Sequence, residues 1–247
     1  MTPTESFISH LIELRSRLLK IVLGFVLVFI ALFPFANKIY TLLAAPMLAK
    51  LPAGGHMIAT AVTTPFFVPM KVAMMAAFVI SLPNTLYQIW AFVAPGLYPK
   101  ERRLMAPVIV ASCLLFVTGM AFAYFAVFPI VFGFIIKSTP VGVSVMTDIA
   151  EYLDFVMTLF LAFGTAFEVP IAVVLAVRFG WVTVKQLKEA RSYVIVGAFI
   201  IGAIFTPPDI VSQFMLAVPL WLLFEAGVLV AQFTQKKKSA ENTIHVS

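Results

Sequence analysis

Six long apolar runs, separated by shorter polar connections, organise this sequence. The runs fall at about 18–36, 70–90, 106–128, 155–177, 192–206 and 210–233. Because a helix needs about 20 apolar residues to cross a bilayer, each run predicts one membrane-spanning helix. The fifth run is short, so we expect the bilayer to thin beside it or neighbouring helices to shield its ends. The pattern predicts an all-α polytopic membrane protein with six transmembrane helices in a single domain, 1–233.

Two of the runs contain features that should interrupt a helix. Leu104–Ile136 has no charged residue in 33 positions, which is too long for one upright crossing at about 1.5 Å per residue. We therefore expect the third span to end near Phe128–Pro129. In the fourth run, Pro170 removes the N–H that would bond to the carbonyl of Ala166, which predicts a kink beside Glu168.

Composition excludes a water-soluble fold. The 247 residues are 62% hydrophobic and 11% charged, and the mean hydropathy is +1.05, beyond the range of soluble domains. A net charge of +6 would suggest nucleic acid in a soluble protein. Here the basic residues cluster between the apolar runs, so no nucleic acid partner is expected. The single cysteine, Cys113, excludes an intrachain disulfide and a cysteine-based metal site.

The distribution of Lys and Arg predicts the orientation in the membrane. Thirteen of them lie in one set of connections and three in the alternate set, the first set being 1–20, 91–106, 178–192 and 234–247 and the second 37–68, 129–152 and 206–211. By the positive-inside rule, both termini are expected in the cytoplasm. The polar tail 234–247 is expected to be disordered.

The sequence carries no catalytic signature. It lacks the phosphate-binding loop G-x-x-x-x-G-K-[ST], the zinc motif H-E-x-x-H and the nucleophile elbow G-x-S-x-G. Its histidines, His10, His56 and His245, all lie outside the apolar runs. We therefore expect no enzyme, and neither a cofactor nor a metal site.

Two acids on the predicted inner side are candidate ligands for cationic groups. Glu13 shares a helix face with His10 and Arg17 ahead of the first span, and Glu101 lies in the connection after the second span. Two carboxylates there would accept two guanidinium groups, each through a bidentate pair that lysine cannot form. The alternative is structural: Glu13 pairs with Arg17 in an interfacial anchor, and Glu101 balances the cations beside it.

Glu168 carries the largest free-energy cost of any residue in the chain, because it places a carboxylate within an apolar membrane helix. Such a residue is a functional-site hypothesis by default. The alternative is a protonated acid bonded to neighbouring backbone. Asp209 follows Pro207 and Pro208 and is expected to cap the sixth helix. The remaining membrane-proximal acids are expected to reach water, namely Asp148, Glu151 and Asp154 at the outer approach to span four and Glu225 on the inner side of span six.

Several sequence blocks together are highly specific. They are SHLIELR at 9–15, YQIWAFVAPGL at 87–97, ERR at 101–103, GMAFAYF at 119–125, FG-x-x-FEVP at 163–170 and TPPD at 206–209. In this order, from about residue 7 to 233, the chain resembles the TatC family of the twin-arginine protein translocase. The resemblance implies a six-helix, cup-shaped receptor in a bacterial inner membrane. It also implies TatA- and TatB-type single-span partners, several copies within a larger complex, and export of folded proteins on the proton-motive force.

The resemblance also implies roles for individual residues. It assigns binding of a twin-arginine signal peptide to Glu13 and Glu101, with Arg15, Phe92 and Arg103 nearby. It assigns intramembrane polar, partner-contacting positions to Glu168, Asp209 and Gln213. The implied mechanism docks the Arg-Arg pair of a cargo on Glu13 and Glu101, after which the apolar part of the signal slides towards Glu168. One departure is Ala61, because family members often carry an acid in this outer loop.

Two other classes of protein remain as alternatives to a signal-peptide receptor. A small-solute secondary transporter would use a midplane acid and broken helices, but no inverted repeat is recognisable and the two key acids lie at the surface. An intramembrane enzyme would need catalytic partners that the sequence lacks.

Overall fold

The computed structural model describes residues 3–49, 51, 56–93, 105–137, 139–140, 146–205 and 210–244. Ten α-helices lie within these ranges: α1 Pro3–Leu32, α2 Ala36–Leu48, α3 Thr64–Val93, α4 Met105–Phe122, α5 Phe128–Lys137, α6 Ile149–Phe167, α7 Val169–Arg178, α8 Val184–Glu189, α9 Arg191–Phe205 and α10 Ile210–Ile244. The only extended pairing in the same ranges is an isolated parallel bridge between Ile58 and Asp148. The prediction of an all-α protein is confirmed.

Most of the helical residues lie in stretches long and apolar enough to cross a membrane. In the described part of the chain there are five such stretches, His10–Leu48, Thr64–Phe92, Met105–Lys137, Ile149–Arg178 and Gln213–Thr234. A shorter apolar helix, Arg191–Phe205, adds a sixth. The predicted polytopic architecture, with a short fifth span, is therefore present, while the span boundaries and the single domain over 1–233 stay predictions.

The helix of the third apolar stretch continues beyond Phe128–Pro129, where the sequence predicts the end of the membrane span. A π-helical segment at Ala123–Val127 joins α4 to α5, and the Phe128 N–H bonds to the Ala123 carbonyl. The helix then continues through Pro129 to Lys137. A wider π turn directly before Pro129 relieves the clash between a proline ring and the preceding turn, so the proline does not terminate the helix.

The C-terminal tail also differs from the expectation of disorder from residue 234. The helix α10 continues to Ile244. Residues 235–241 are Gln, three Lys, Ser, Ala and Glu, most of which are strong helix formers, and they extend a helix that has already been nucleated. Low hydrophobicity of a segment therefore did not predict the absence of a helix here.

The chain divides into two compact units, one of Met1–Cys113 with Ser144–Asp154 and the other of Leu114–Val143 with Phe155–Ser247. In the first unit, α1 and α3 form a closely packed antiparallel pair. Asn84 Nδ2 donates to the carbonyl of Lys20 (3.2 Å), and a Cβ at Gly24 would lie 2.5 Å from the same Nδ2. A small residue at the crossing thus lets the two helices approach.

An acid expected in water instead ties two segments of the first unit together. Asp148 is 8% exposed, and its Oδ2 accepts hydrogen bonds from the Thr60 N–H (2.9 Å) and hydroxyl (2.7 Å). Its Oδ1 accepts from the Ala150 N–H (2.7 Å) at the start of α6. These hydrogen bonds hold the pKa of Asp148 below its ordinary value, and the bond from the Thr60 hydroxyl has the largest effect.

The second unit contains a tight helix crossing built on two glycines. A Cβ at Gly119 of α4 would lie 2.9 Å from the carbonyl carbon of Phe163 in α6. A Cβ at Gly164 would lie 2.6 Å from the ring of Phe116. Two groups of contacting aromatic rings lie on α4, α5 and α6, one of Phe122, Phe163 and Phe167 and the other of Phe128, Phe132 and Phe160. Absent side chains at the glycines allow the large rings to fill the adjacent space.

The helix is interrupted beside Pro170, at the place where the sequence predicts a kink. The helix α6 ends at Phe167, Glu168 is a turn residue and α7 restarts at Val169. Beyond the break, α7 packs on α10, where a Cβ at Gly227 would lie 2.8 Å from the Pro170 Cα. The adjoining apolar cores consist of Val173, Phe224 and Val228, and of Ala166, Ala198, Ala217 and Leu220.

Candidate functional site

Glu13 lies on α1 with its carboxylate already paired. The Arg17 Nε and Nη2 atoms donate to Glu13 Oε1 at 2.9 and 2.6 Å. The side chain of Glu13 is 32% exposed and that of Arg17 is 22% exposed. A glutamate four residues before an arginine is the favourable order for a helical ion pair. The ion pair between Glu13 and Arg17, which the sequence analysis gave as the structural alternative, is therefore present. It leaves the carboxylate of Glu13 partly open to solvent.

Helix α3 contributes two side chains that contact the residues around Glu13. Arg17 Nη1 lies 3.5 Å from Oε1 of Gln88, a residue only 8% exposed. One turn further along α3, the Phe92 ring stacks on His10 with centroids 4.5 Å apart and planes 26° apart. The antiparallel packing of α1 on α3 thus gathers the Glu13 cluster, defined as His10, Glu13, Arg17, Gln88 and Phe92.

The other residues predicted for the same site have different positions. Arg15 lies on an exposed part of α1, whereas Glu13 and Arg17 are half-buried. Glu101 and Arg103 lie outside the described residues, so their approach to Glu13 stays a prediction. Of the five predicted signal-peptide residues, the structure brings Glu13 and Phe92 into one cluster through His10.

One member of the cluster, Gln88, was missed by sequence reasoning. Gln88 carries a signal in hindsight, because an amide within an apolar helix needs a hydrogen-bond partner when it is buried. Phe92 lies four residues later, on the same face of α3. Their spacing identifies a face of α3, but it does not reveal that α1 packs there.

The predicted intramembrane polar positions lie in the second unit. Glu168 is half-buried at the helix break, where its N–H donates to the Thr165 carbonyl (3.1 Å) and its carbonyl accepts from the Ala172 N–H (3.0 Å). Gln213 Nε2 donates to the Phe199 carbonyl (3.0 Å), which ties α10 to α9. Asp209, with its predicted cap, lies outside the described residues.

An apolar cavity of about 180 Å³ lies between α9 and α10, lined by Ile195, Phe199, Phe214, Ala217, Val218 and Trp221.

Glu225 does not simply reach water, contrary to the sequence expectation. Its Oε1 and Oε2 accept from Arg191 Nε (2.6 Å) and Nη2 (2.7 Å), a bidentate pair between α10 and α9. On the outer side, Asp154 pairs with Lys71 (2.8 Å). Within the described ranges no group of three or more His, Cys, Asp or Glu side chains is arranged to hold a metal ion.

These features define a polytopic helical membrane protein with a carboxylate–guanidinium cluster where an antiparallel helix pair meets. Residues 9–219 match the family model described as Sec-independent protein translocase protein (TatC). The chain belongs to this TatC family.

Relatives with this name are similar over nearly their whole length. The TatC protein of Escherichia coli strain K12 is 52% identical over 230 residues, covering 93% of this chain and 89% of the relative. That of Haemophilus influenzae is 53% identical over 234 residues, covering 95% and 91%. A crystal structure described as the twin arginine translocase receptor TatC is 36% identical, with a TM-score of 0.78 and coverage of 92% of this chain and 99% of that one.

Family membership settles the class of protein. This chain is a component of the twin-arginine protein translocase, a multi-span membrane protein of a family whose members translocate proteins and are not enzymes. The alternatives of a small-solute secondary transporter and of an intramembrane enzyme are thereby removed.

Proposed function

We propose that this chain is the receptor core of the translocase in a bacterial inner membrane, with both termini in the cytoplasm. It binds the twin-arginine signal peptides of folded proteins and assembles with TatA- and TatB-type single-span subunits. Several copies work within a larger lipid-embedded complex, and export is driven by the proton-motive force. The observation that carries the proposal is the half-open carboxylate of Glu13 beside the stacked rings of His10 and Phe92.

The orientation is supported by the charge distribution together with helix packing. The start of α1 and the end of α3 adjoin connections rich in Lys and Arg, so the positive-inside rule assigns this end of the pair to the cytoplasm. Signal peptides meet the membrane from that side. The Glu13 cluster is therefore positioned for first contact with a cargo.

The chemistry of the cluster suits a guanidinium ligand. A carboxylate and a guanidinium form two parallel, charge-assisted hydrogen bonds. A hydrogen bond to a charged group contributes about 1.5–3 kcal/mol to the free energy of binding. One arginine of the signal docks on Glu13 and its neighbour on Glu101, with Arg15 and Arg103 nearby. Phe92 offers an aromatic surface to the apolar residues that follow the arginine pair.

A binding measurement on carboxylate variants tests this docking role. In the full-length protein in lipid nanodiscs, Glu13→Gln and Glu101→Gln should each weaken binding of a labelled twin-arginine peptide roughly 10- to 100-fold, because each removes one charged pair. Glu189→Gln is the matched control, since Glu189 is an exposed acid at the end of α8. Unchanged affinity and unchanged photocrosslinking for either docking variant would contradict the proposal.

The second set of polar residues is assigned to contacts with the partner subunits. Glu168 lies at a helix break, and Gln213 links α9 to α10 beside an apolar cavity. Polar groups within membrane helices stabilise helix association, because hydrocarbon offers them no other partner. Together with Asp209, they form the proposed contact region for single-span helices.

The partner-contact role predicts a separation between binding and assembly. Glu168→Ala should leave signal-peptide affinity within about twofold of wild type, a change of less than about 0.5 kcal/mol, but should reduce co-purification of the single-span subunits and export. Thr165→Ala, one turn earlier on an exposed position, is the control and should behave as wild type. Wild-type export by Glu168→Ala would return this residue to a structural role.

A further inference from the structure

The ion pair in the Glu13 cluster is asymmetric. Arg17 directs both Nε and Nη2 to the same carboxylate oxygen, Oε1 of Glu13. The nearest described partner of the other oxygen, Oε2, is His10 Nδ1 at 3.8 Å, too far for a hydrogen bond. One oxygen is thus held by an internal guanidinium, while the other retains acceptor capacity within the described part of the chain.

A second acceptor lies on the far side of the same guanidinium. Arg17 Nη1 is 3.5 Å from Oε1 of Gln88, at the outer limit of a hydrogen bond. Gln88 lies on α3 and is only 8% exposed, so its amide oxygen is an acceptor largely shielded from water. A small side-chain rotation of Arg17 away from Glu13 would shorten this contact and leave the guanidinium with a partner.

We propose that Arg17 is a specificity-determining residue of the receptor, an internal guanidinium that occupies Oε1 of Glu13 until an arginine of the signal peptide displaces it towards Gln88. The proposal rests on the proposed docking role of Glu13. It assigns to the internal pair a function in selecting the ligand, in addition to stabilising α1.

The selection follows from the geometry of the two cations. An incoming arginine takes both oxygens of Glu13 through parallel N–H bonds, which compensates for releasing Arg17. A lysine is a point charge without this fork. It either pairs with Oε2 alone, beside the retained positive charge of Arg17, or displaces Arg17 without gaining a second aligned bond. Arg17 therefore penalises lysine more than arginine.

The test compares two peptides on the full-length protein in lipid nanodiscs. Fluorescence anisotropy gives the affinity for a twin-arginine signal peptide and for the same peptide with two lysines. In Arg17→Gln and Arg17→Lys the lysine peptide should gain more than the arginine peptide. The arginine-over-lysine preference should fall by roughly two- to fivefold, the worth of a partly exposed ion pair.

Two variants separate this effect from other causes. Lys20→Gln removes a positive charge from an exposed position of α1 and should change both affinities by the same factor. Arg17→Lys keeps the charge and removes the fork, so it decides the question if Arg17→Gln does not fold. Thermal unfolding of each variant reports whether α1 remains packed.

The outcomes distinguish the proposal from the function on which it rests. If Glu13→Gln binds the twin-arginine peptide as wild type does, the docking role fails and the role of Arg17 fails with it. If Glu13→Gln loses binding while both Arg17 variants retain the wild-type preference, only the role of Arg17 is overturned. An equal fall in preference for Lys20→Gln would also overturn it, because net charge would then be the cause.

Discussion

The Gly119 crossing predicts a graded loss of stability upon adding a single methyl group. In Gly119→Ala, the new Cβ would lie 2.9 Å from the backbone carbonyl carbon of Phe163 and closer still to its oxygen, whereas ordinary contacts begin at 3.4 Å. Backbone cannot move aside as a side-chain tip can, so α4 and α6 must separate by about 0.5–1 Å. A gap of that size costs the buried rings about a quarter to a half of their contact energy.

The net magnitude combines two opposing effects. Overpacking of this kind costs about 1–3 kcal/mol, and replacing a helical glycine by alanine returns about 1 kcal/mol of helix propensity. Gly133→Ala in α5 isolates the second effect, because no atom of the described residues lies within 4 Å of its Cβ. The free energy of unfolding of Gly119→Ala should therefore be about 1–3 kcal/mol below that of Gly133→Ala.

The assay is unfolding in mixed micelles of rising SDS fraction, followed by tryptophan fluorescence. Gly164→Ala should fall between the other two variants, since its Cβ meets the ring of Phe116, which can tilt. Equal unfolding midpoints for Gly119→Ala and Gly133→Ala would refute the reasoning, because the close approach would then carry no energetic weight.

Two further predictions concern the polar ties of each unit. Asp148→Asn should accelerate hydrogen exchange at the Thr60 amide at pH 7. Because the folded-state pKa of Asp148 is lowered below 3.8, the wild-type tie should persist above that pH and be lost only as the pH falls through the lowered pKa; equal exchange in wild type and variant at pH 7 would contradict this. For Arg191 and Glu225, a double-mutant cycle of Arg191→Lys with Glu225→Gln should give a coupling of about 0.5–1 kcal/mol, limited by the exposure of the arginine. A coupling of zero would show that the bidentate geometry adds no stability.

Local patterns in the sequence identified the features that depend on neighbouring residues. The apolar runs identified the membrane helices, because hydrocarbon thickness sets the length of a span. Pro170 predicted the break at Glu168, since a missing N–H acts four residues away. The pair of Glu13 and Arg17 was visible because residues four apart share a helix face. Local patterns did not predict that the helices continue through Pro129 and into the tail, where a π turn and strong helix propensity extend them.

Tertiary structure decided the contacts between distant segments. Arg17 meets Gln88 across 71 positions, Thr60 meets Asp148 across 88, and Arg191 meets Glu225 across 34. A charge pattern identifies such residues as polar or acidic but not their partners. The sequence therefore predicts Asp148 and Glu225 as solvated acids, whereas in the structure the packing of helices and loops supplies hydrogen-bond donors to both. The sequence by itself determined the class of protein and identified the candidate acids, whereas helix packing decided which carboxylates already have an internal partner, because the approach of one helix to another sets the distances between side chains.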